Sequence, residues 1–190
     1  MNTTEELQLK RISNPTDADY AYVKKILIDS FPSEEYRDLN DWAAYTQNRP
    51  EFCNHVILDG TTRIGLLSYW NFETFYYVEH FAIDSQYRNY KYGSRVLALI
   101  LETLDKAIVL EVEKPVTELA QRRISFYERN EFVLSEYEYQ QPPYRKGEEW
   151  LPMCLMIHYK EPNFCDLAQV KDVLYKLVYG INNQKQLVFE

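Results

Sequence analysis

The stretch "FAIDSQYRNYKYGSRVLALILETL", Phe81 to Leu104, decides the reading of this chain. An apolar run ends in a polar turn, and from Gly93 to about Lys106 apolar residues recur at helical spacing, with Val96, Leu97, Ile100, Leu101 and Leu104 on one face. A strand, a tight basic turn and a helix are expected. The first turn of a helix leaves backbone N–H groups unpaired and carries partial positive charge, so anions are stabilised there. Arg88, Lys91 and Arg95 add charge to the turn, Gly93 lets the backbone come close, and Ser94 offers another hydrogen bond. The turn alone leaves two readings open: a phosphate cradle, or a plain strand-to-helix connection with solvated charges.

Working outward, "LQLKRI" alternates as a strand, and "TDADYAYVKKILIDSF" opens with a helix cap and ends before Pro32. "SEEYRDLNDWAAYTQN" predicts a second helix, stopped near Pro50. "FCNHVILDG" and "TRIGLLSYW" flank Gly60-Thr61 as a hairpin, and "FYYVEHFAID" is a fourth strand. After the central helix come a short strand, "AIVLEVE", and a helix, "ELAQRRISFYERN", with Leu119, Ile124 and Tyr127 at compatible spacing. Two last strands, "FVLSEYEYQ" and "PMCLMIHY", are joined by the turn-rich loop "QPPYRKGEEW". A final amphipathic helix is expected from about Cys165 to Tyr179, with Leu167, Val170, Leu174, Leu177 and Val178 on one face. The order predicts an α+β (mixed α/β) fold, a central mixed but mostly antiparallel sheet flanked by helices.

Composition narrows the function classes. Hydrophobic residues make up 46% of the 190, enough for a core. The net charge of -8 argues against a nucleic-acid partner, which needs Lys and Arg to displace counterions. The start, "MNTTEELQLK", lacks a signal-peptide pattern, no apolar run approaches a membrane span, and the three cysteines show no CxxC spacing. These features predict a cytoplasmic protein with reduced thiols and no membrane partner. Histidines 55, 80 and 158 have no metal-ligand spacing, so no metal is expected. No GxSxG or Walker-type GxxxxGK supports a hydrolase or NTPase.

Arg88-Asn-Tyr-Lys-Tyr-Gly-Ser, following "VEHFAID", resembles the acetyl-CoA-binding motif of GNAT acetyltransferases: Arg or Gln, two residues, Gly, one residue, then Gly or Ala, opening a helix. Arg88 and Gly93 match, while Lys91 stands where the first Gly is expected. "ISFYERNEF", Ile124 to Phe132, is similar to the family's FYxxxGF segment, with Phe126, Tyr127 and Phe132 matching and Glu131 in place of Gly. The element order fits from about Leu7 to Tyr159. The resemblance implies an acyl-CoA N-acyltransferase-like domain over residues 1–160 and acetyl-CoA as co-substrate, with residues 161–190 a C-terminal helical extension beyond what it covers. For that extension the expectation is docking on the same domain, with a homodimer contact as the alternative.

Acetyl transfer needs an amine that loses a proton, a stabilised carbonyl oxygen and a leaving thiolate that gains a proton. Glu79 is the candidate base, placed by strand alternation on the face of Tyr77 and Phe81. His80 faces the other way unless a bulge re-aims it, and a packed histidine is the expectation. The resemblance implies Tyr127 as acid. It also implies that Phe81, Ala82 and Ile83 lie along the cofactor, with a backbone N–H near them for the oxyanion, and that Arg88, Asn89, Tyr90, Lys91, Tyr92, Gly93 and Ser94 hold the pyrophosphate. "DSFPSEEYRDL" and "YEYQQPPYRKGEEW" would wall the acceptor site, giving Phe31, Tyr36, Tyr139 and Tyr144 as substrate candidates for an amine of a small molecule or protein. Glu111 and Glu113 share a face of the fifth strand; they could line the site or meet Arg122 and Arg123. The expected activity is N-acetyl transfer by direct attack in a ternary complex. The alternative, prompted by Lys91 and Glu131, is a CoA-binding or regulatory module without catalysis.

Overall fold

The structure, a computed structural model, describes residues 6–160 and 166–181. Cys165 and the tail beyond Ile181 therefore lie outside the described residues. The elements run β1 (Leu7–Ile12), α1 (Ala18–Ser30), α2 (Leu39–Asn48), β2 (Phe52–Asp59), β3 (Thr62–Asn71), β4 (Phe75–Ile83), α3 (Tyr92–Thr103), β5 (Ala107–Glu113), α4 (Glu118–Glu128), β6 (Val133–Leu134), β7 (Tyr139–Gln141), β8 (Leu151–His158) and α5 (Leu167–Val173). Asp17, Asp38, Thr117 and Asp166 cap α1, α2, α4 and α5 through their side chains, satisfying N–H groups that the helix cannot. Gly60-Thr61 makes the two-residue turn between β2 and β3.

One eight-stranded sheet carries the order β1-β2-β3-β4-β5-β8-β6, with β7 also on β8. Every pairing is antiparallel except β4 with β5. The sheet divides the core in two. On one face α1, α2 and the C-terminal segment pack over Val56, Leu66, Trp70, Tyr77 and Val109. On the other, α3 and α4 pack over Ile57, Leu67, Val78 and Leu110.

Three expectations need correction. The single strand expected over 132–140 is two, because Ser135 turns the chain, its hydroxyl accepting from the Tyr137 N–H at 2.9 Å. Leu119, expected on the buried face of α4, is 63% exposed at the helix start. The last helix leaves α-geometry after Val173 for a wider π-type turn over Leu174–Val178. The extra residue per turn rotates the pattern, so Tyr175 is buried and Leu177 is exposed. Residues 166–181 pack on this domain's own sheet, through Val170, Leu174, Tyr175 and Val178.

Candidate active site

The site begins with a bulge. Ser68 pairs with His80 and Tyr69 with Val78, so Glu79 is an extra residue on β4. At the same point β4 loses β5: the parallel pairing runs from Phe75–Ala107 to Val78–Leu110 and stops. Beyond it β4 keeps only β3, and β5 keeps only β8. The strands splay into a wedge, and the open edge of β4 faces a cleft of about 390 Å³. Phe81, Ala82, Ile83 and Arg88 line it on one side, Leu110, Arg123 and Tyr127 on another, and Tyr77, Glu111, Gln141 and Tyr144 at the far face.

The bulge corrects the alternation read from the sequence. Glu79 and His80, though adjacent, both turn to the α1/α2 face, and Phe81 packs on the other. His80 is buried, its Nδ1 3.1 Å from Ser68 Oγ, its Nε2 3.0 Å from the Glu35 carbonyl oxygen and its ring edge-on to Phe31. Burial holds its pKa below the ordinary value, so it is a neutral packed histidine.

The Glu79 carboxylate does not open to the cleft. It pairs with Arg37, with the two side chains 0% and 5% exposed, and accepts from Trp70 Nε1 at 3.1 Å and Tyr144 Oη at 2.8 Å. Burial pushes the carboxyl up, but the Arg37 guanidinium and the hydrogen bonds from Tyr144 and Arg37 together outweigh it, and the group sits below its ordinary value. Arg37 also lies over the Tyr45 ring, 4.4 Å from the centroid. Glu79 thus meets the cleft by its backbone.

Glu111 differs. It lines the cleft and accepts from three phenols: Tyr77 at 2.9 Å, Tyr179 at 2.8 Å, and Tyr139. Burial pushes its pKa up to about 7, against the pull of those hydrogen bonds and helped by the charge on Glu79. An ionised carboxylate has about four acceptor positions, so roughly one, on the Tyr139-bonded Oε1, is left for another donor. Two carboxylates on one face are therefore pushed apart, Glu79 down and Glu111 up. Glu113 pairs with Arg123 at the cleft mouth, where burial and Glu113 raise Glu35 to about 7.

Tyr127 comes from α4 on the opposite face, lines the cleft, and is pushed up to about 12 by burial, so its phenol keeps its proton at neutral pH. The basic turn keeps the expected form. Among the described residues α3 is the α-helix with no side-chain cap. Lys91 holds φ 60 at its N-cap and Glu131 holds φ 69, so both residues standing for expected glycines adopt the left-handed conformation. Gly93 packs on Phe126, whose Cζ would lie 3.1 Å from an added Cβ. Asn89 faces a groove shared with Arg122 of α4 and Arg129 just past its end. Tyr90 is exposed, and Tyr92 turns its hydroxyl to Asp59 and away from the cleft. An uncapped helix start, left-handed backbone at Asn89 and Lys91 and nearby arginines suit a pyrophosphate.

Of the acceptor candidates, Phe31 and Tyr144 line the cleft. Tyr36 instead packs in the core beneath Arg145, and Tyr139 reaches the site only through its bond to Glu111. The two predicted walls touch: Arg145 donates to the Ser33 carbonyl at 2.6 Å. Arg37, Tyr77, Tyr179 and Gln141 were not singled out in the sequence. Gln141 is 3% exposed, lines the cleft, and has an amide nitrogen with no partner. A buried Arg and a Tyr beyond the last helix carry no local motif. Among the described residues no cluster of His, Cys, Asp and Glu is placed to hold a metal, and no helix is long and apolar enough to cross a membrane.

The mixed sheet, split between its parallel strands and flanked by helices, is the acyl-CoA N-acyltransferase-like fold. The profile of the acetyltransferase (GNAT) family matches residues 19–132 of the 190, and the chain belongs to that family. A solved structure from Bacteroides thetaiotaomicron, assigned to the GNAT family as an acetyltransferase, is 42% identical, with TM-score 0.86 over 93% of this chain and 99% of that one. A GNAT family acetyltransferase from Elizabethkingia anophelis with acetyl-CoA bound shares the fold at 14% identity and TM-score 0.55, over 80% and 97% of the chains. So does Arabidopsis thaliana NAA60 in complex with a bisubstrate analogue, at 13% identity and TM-score 0.60, over 82% and 99%. No curated protein matches the chain in sequence.

Proposed function

We propose that this protein transfers the acetyl group of acetyl-CoA to a small primary amine by direct attack, the two substrates entering the cleft from opposite faces of the sheet. The observation that carries this reading is the cleft itself. It holds an undonated phenol, Tyr127, on the α3/α4 face and a carboxylate poised near neutrality, Glu111, on the other.

Arg88, Asn89 and the free N–H groups opening α3 would hold the pyrophosphate, and the open edge of β4 from Glu79 to Ile83 offers backbone groups to the rest of the co-substrate. Glu111 takes the base role that the strand pattern suggested for Glu79. It accepts one proton from the ammonium, and the nitrogen lone pair then forms the N–C bond at the thioester carbon. As the C–S bond breaks, Tyr127 gives its phenol proton to the thiolate. The second ammonium proton returns to the phenolate through water, and Glu111 releases its own to solvent. The joined walls at Arg145 and Ser33 narrow the acceptor side, favouring a small molecule over a protein chain. Glu35, Glu111 and the Tyr77 and Tyr144 rings favour a cation.

Calorimetry with acetyl-CoA, on wild type and Arg88→Ala, tests the cradle, and turnover with benzylamine and 1,4-diaminobutane tests the transfer. Micromolar binding weakened in the variant, with turnover of a small amine, is expected. Binding without turnover would favour the CoA-binding module, and no binding would leave the fold without the activity.

A further inference from the structure

The segment after β8 lies outside the matched family region, yet it reaches the centre of the site. The π-type turn over Leu174–Val178 ends with the Tyr179 N–H bonded to the Leu174 carbonyl at 3.1 Å, five residues back. That wider turn places Tyr179 over the same face as the buried Leu174. Its hydroxyl donates to Glu111 Oε2 at 2.8 Å and lies 3.1 Å from the Tyr77 hydroxyl, and its ring packs 4.9 Å from the Tyr144 ring. Just before it, the Val178 carbonyl accepts from Arg37 at 3.4 Å. The segment therefore touches both carboxylate centres at once.

We propose that Tyr179 is a positioning residue for the transfer: docking of residues 166–181 delivers a phenol to Glu111, which orients the carboxylate and keeps it able to take the amine proton. This rests on the reading of Glu111 as proton acceptor. Glu111 is faced by Tyr77 and Glu79 from β4, Tyr139 from β7, Tyr144 from the β7–β8 loop and Tyr179 from the C-terminal segment, with Arg37 neutralising Glu79. Burial and Glu79 favour the protonated acid, whereas the phenols favour the carboxylate. Tyr179 is one of three donors in that balance, and the one supplied by a segment that packs onto the sheet after the last strand. Its own pKa is raised by burial, so it stays a donor across the working range.

The test is Tyr179→Phe in the full chain, which removes the hydroxyl and keeps the ring on Tyr144. Tyr175→Phe is the control: its hydroxyl leaves the same segment but donates to the Gln140 carbonyl at 2.7 Å. Loss of one hydrogen bond to the charged form should raise the Glu111 pKa by about one unit. The acid limb of kcat/KM for benzylamine would then move up by the same amount, with acetyl-CoA affinity within about twofold of wild type. A carboxyl ¹³C titration of Glu111 reads the same shift without turnover. An upward shift in Tyr179→Phe and none in Tyr175→Phe supports the proposal. An unmoved Glu111 titration in Tyr179→Phe, or an equal shift in the control, overturns it. If wild type binds acetyl-CoA but transfers nothing, the enzyme reading fails and the positioning role for transfer falls with it; the titration then reports only whether the Tyr179 contact exists.

Discussion

Arg37 and Glu79 form an ion pair with almost no solvent contact, at the point where β4 bulges and parts from β5. Trp70 and Tyr144 complete the Glu79 shell, and the aromatic rings of Tyr45 and Tyr144 lie against the guanidinium. The pair links the α1–α2 connection, the bulge and the β7–β8 loop, and so fixes the shape of the cleft.

Removing one partner leaves the other charged and buried. Arg37→Ala should cost about 3–5 kcal/mol of stability, far more than an exposed pair would. Urea titration of the variant checks this. A loss under 1 kcal/mol would mean that water reaches Glu79.

The pH dependence of stability has two opposed parts. Glu111 has a folded-state pKa of about 7 against an ordinary 4.5, so the folded chain binds more protons than the unfolded one in that window. Stability therefore falls as pH rises from about 4.5 to about 7. Glu79, depressed when folded, contributes stability that is present above its ordinary value and lost as pH falls below it. Glu111→Gln should gain on wild type between pH 5 and 8, by at most about 3 kcal/mol. Melting curves across that range decide it; parallel curves for the two proteins would refute the raised pKa.

Lys91 and Glu131 pay for left-handed backbone that glycine adopts freely. Lys91→Gly and Glu131→Gly should each stabilise by about 1 kcal/mol. Glu131→Gly should leave acetyl-CoA binding unchanged, and Lys91→Gly should keep the cradle while removing one cation beside it. Chemical denaturation and calorimetry on both variants separate the two effects.

Gly65 lets β3 approach the far end of β4: an added Cβ would lie 2.3 Å from the Ala82 carbonyl oxygen. Gly65→Ala should cost about 1–3 kcal/mol by overpacking and displace the β4 wall of the cleft. Weakened acetyl-CoA binding alongside a lower Tm is the expected result, and an unchanged Tm would contradict the close approach.

The fold was legible where local chemistry and global packing agree. Gly60-Thr61, Pro32 and the period of Val96, Leu97 and Ile100 each pointed to the element that forms. The turn ahead of α3 was legible because Arg88 and Gly93 lie close together there and carry a motif. The acceptor side was not. Glu79 and Glu111 look alike in sequence, and what separates them is Arg37, 42 residues before Glu79, whereas the groups that donate to Glu111 are phenols, one of them Tyr179, 68 residues after it. The bulge escaped alternation because a one-residue surplus on β4 is defined only by its pairing with β3. Leu177 misled because a helix pattern assumes constant pitch, and the π-type turn changes it.

The seam between β4 and β5 is four residue pairs long, Phe75–Val78 against Ala107–Leu110. Everything on one side of it, β1 through β4, is built from neighbouring strands, and everything on the other side is stitched through β8. The molecule is thus two laminae on a short hinge, and the gap between them is the cleft. Whatever fills that gap acts as a splint, tying the laminae together along an edge that the chain itself leaves unsewn. Occupancy should then register as slowed amide exchange along both halves of the sheet, well away from any atom that the ligand touches.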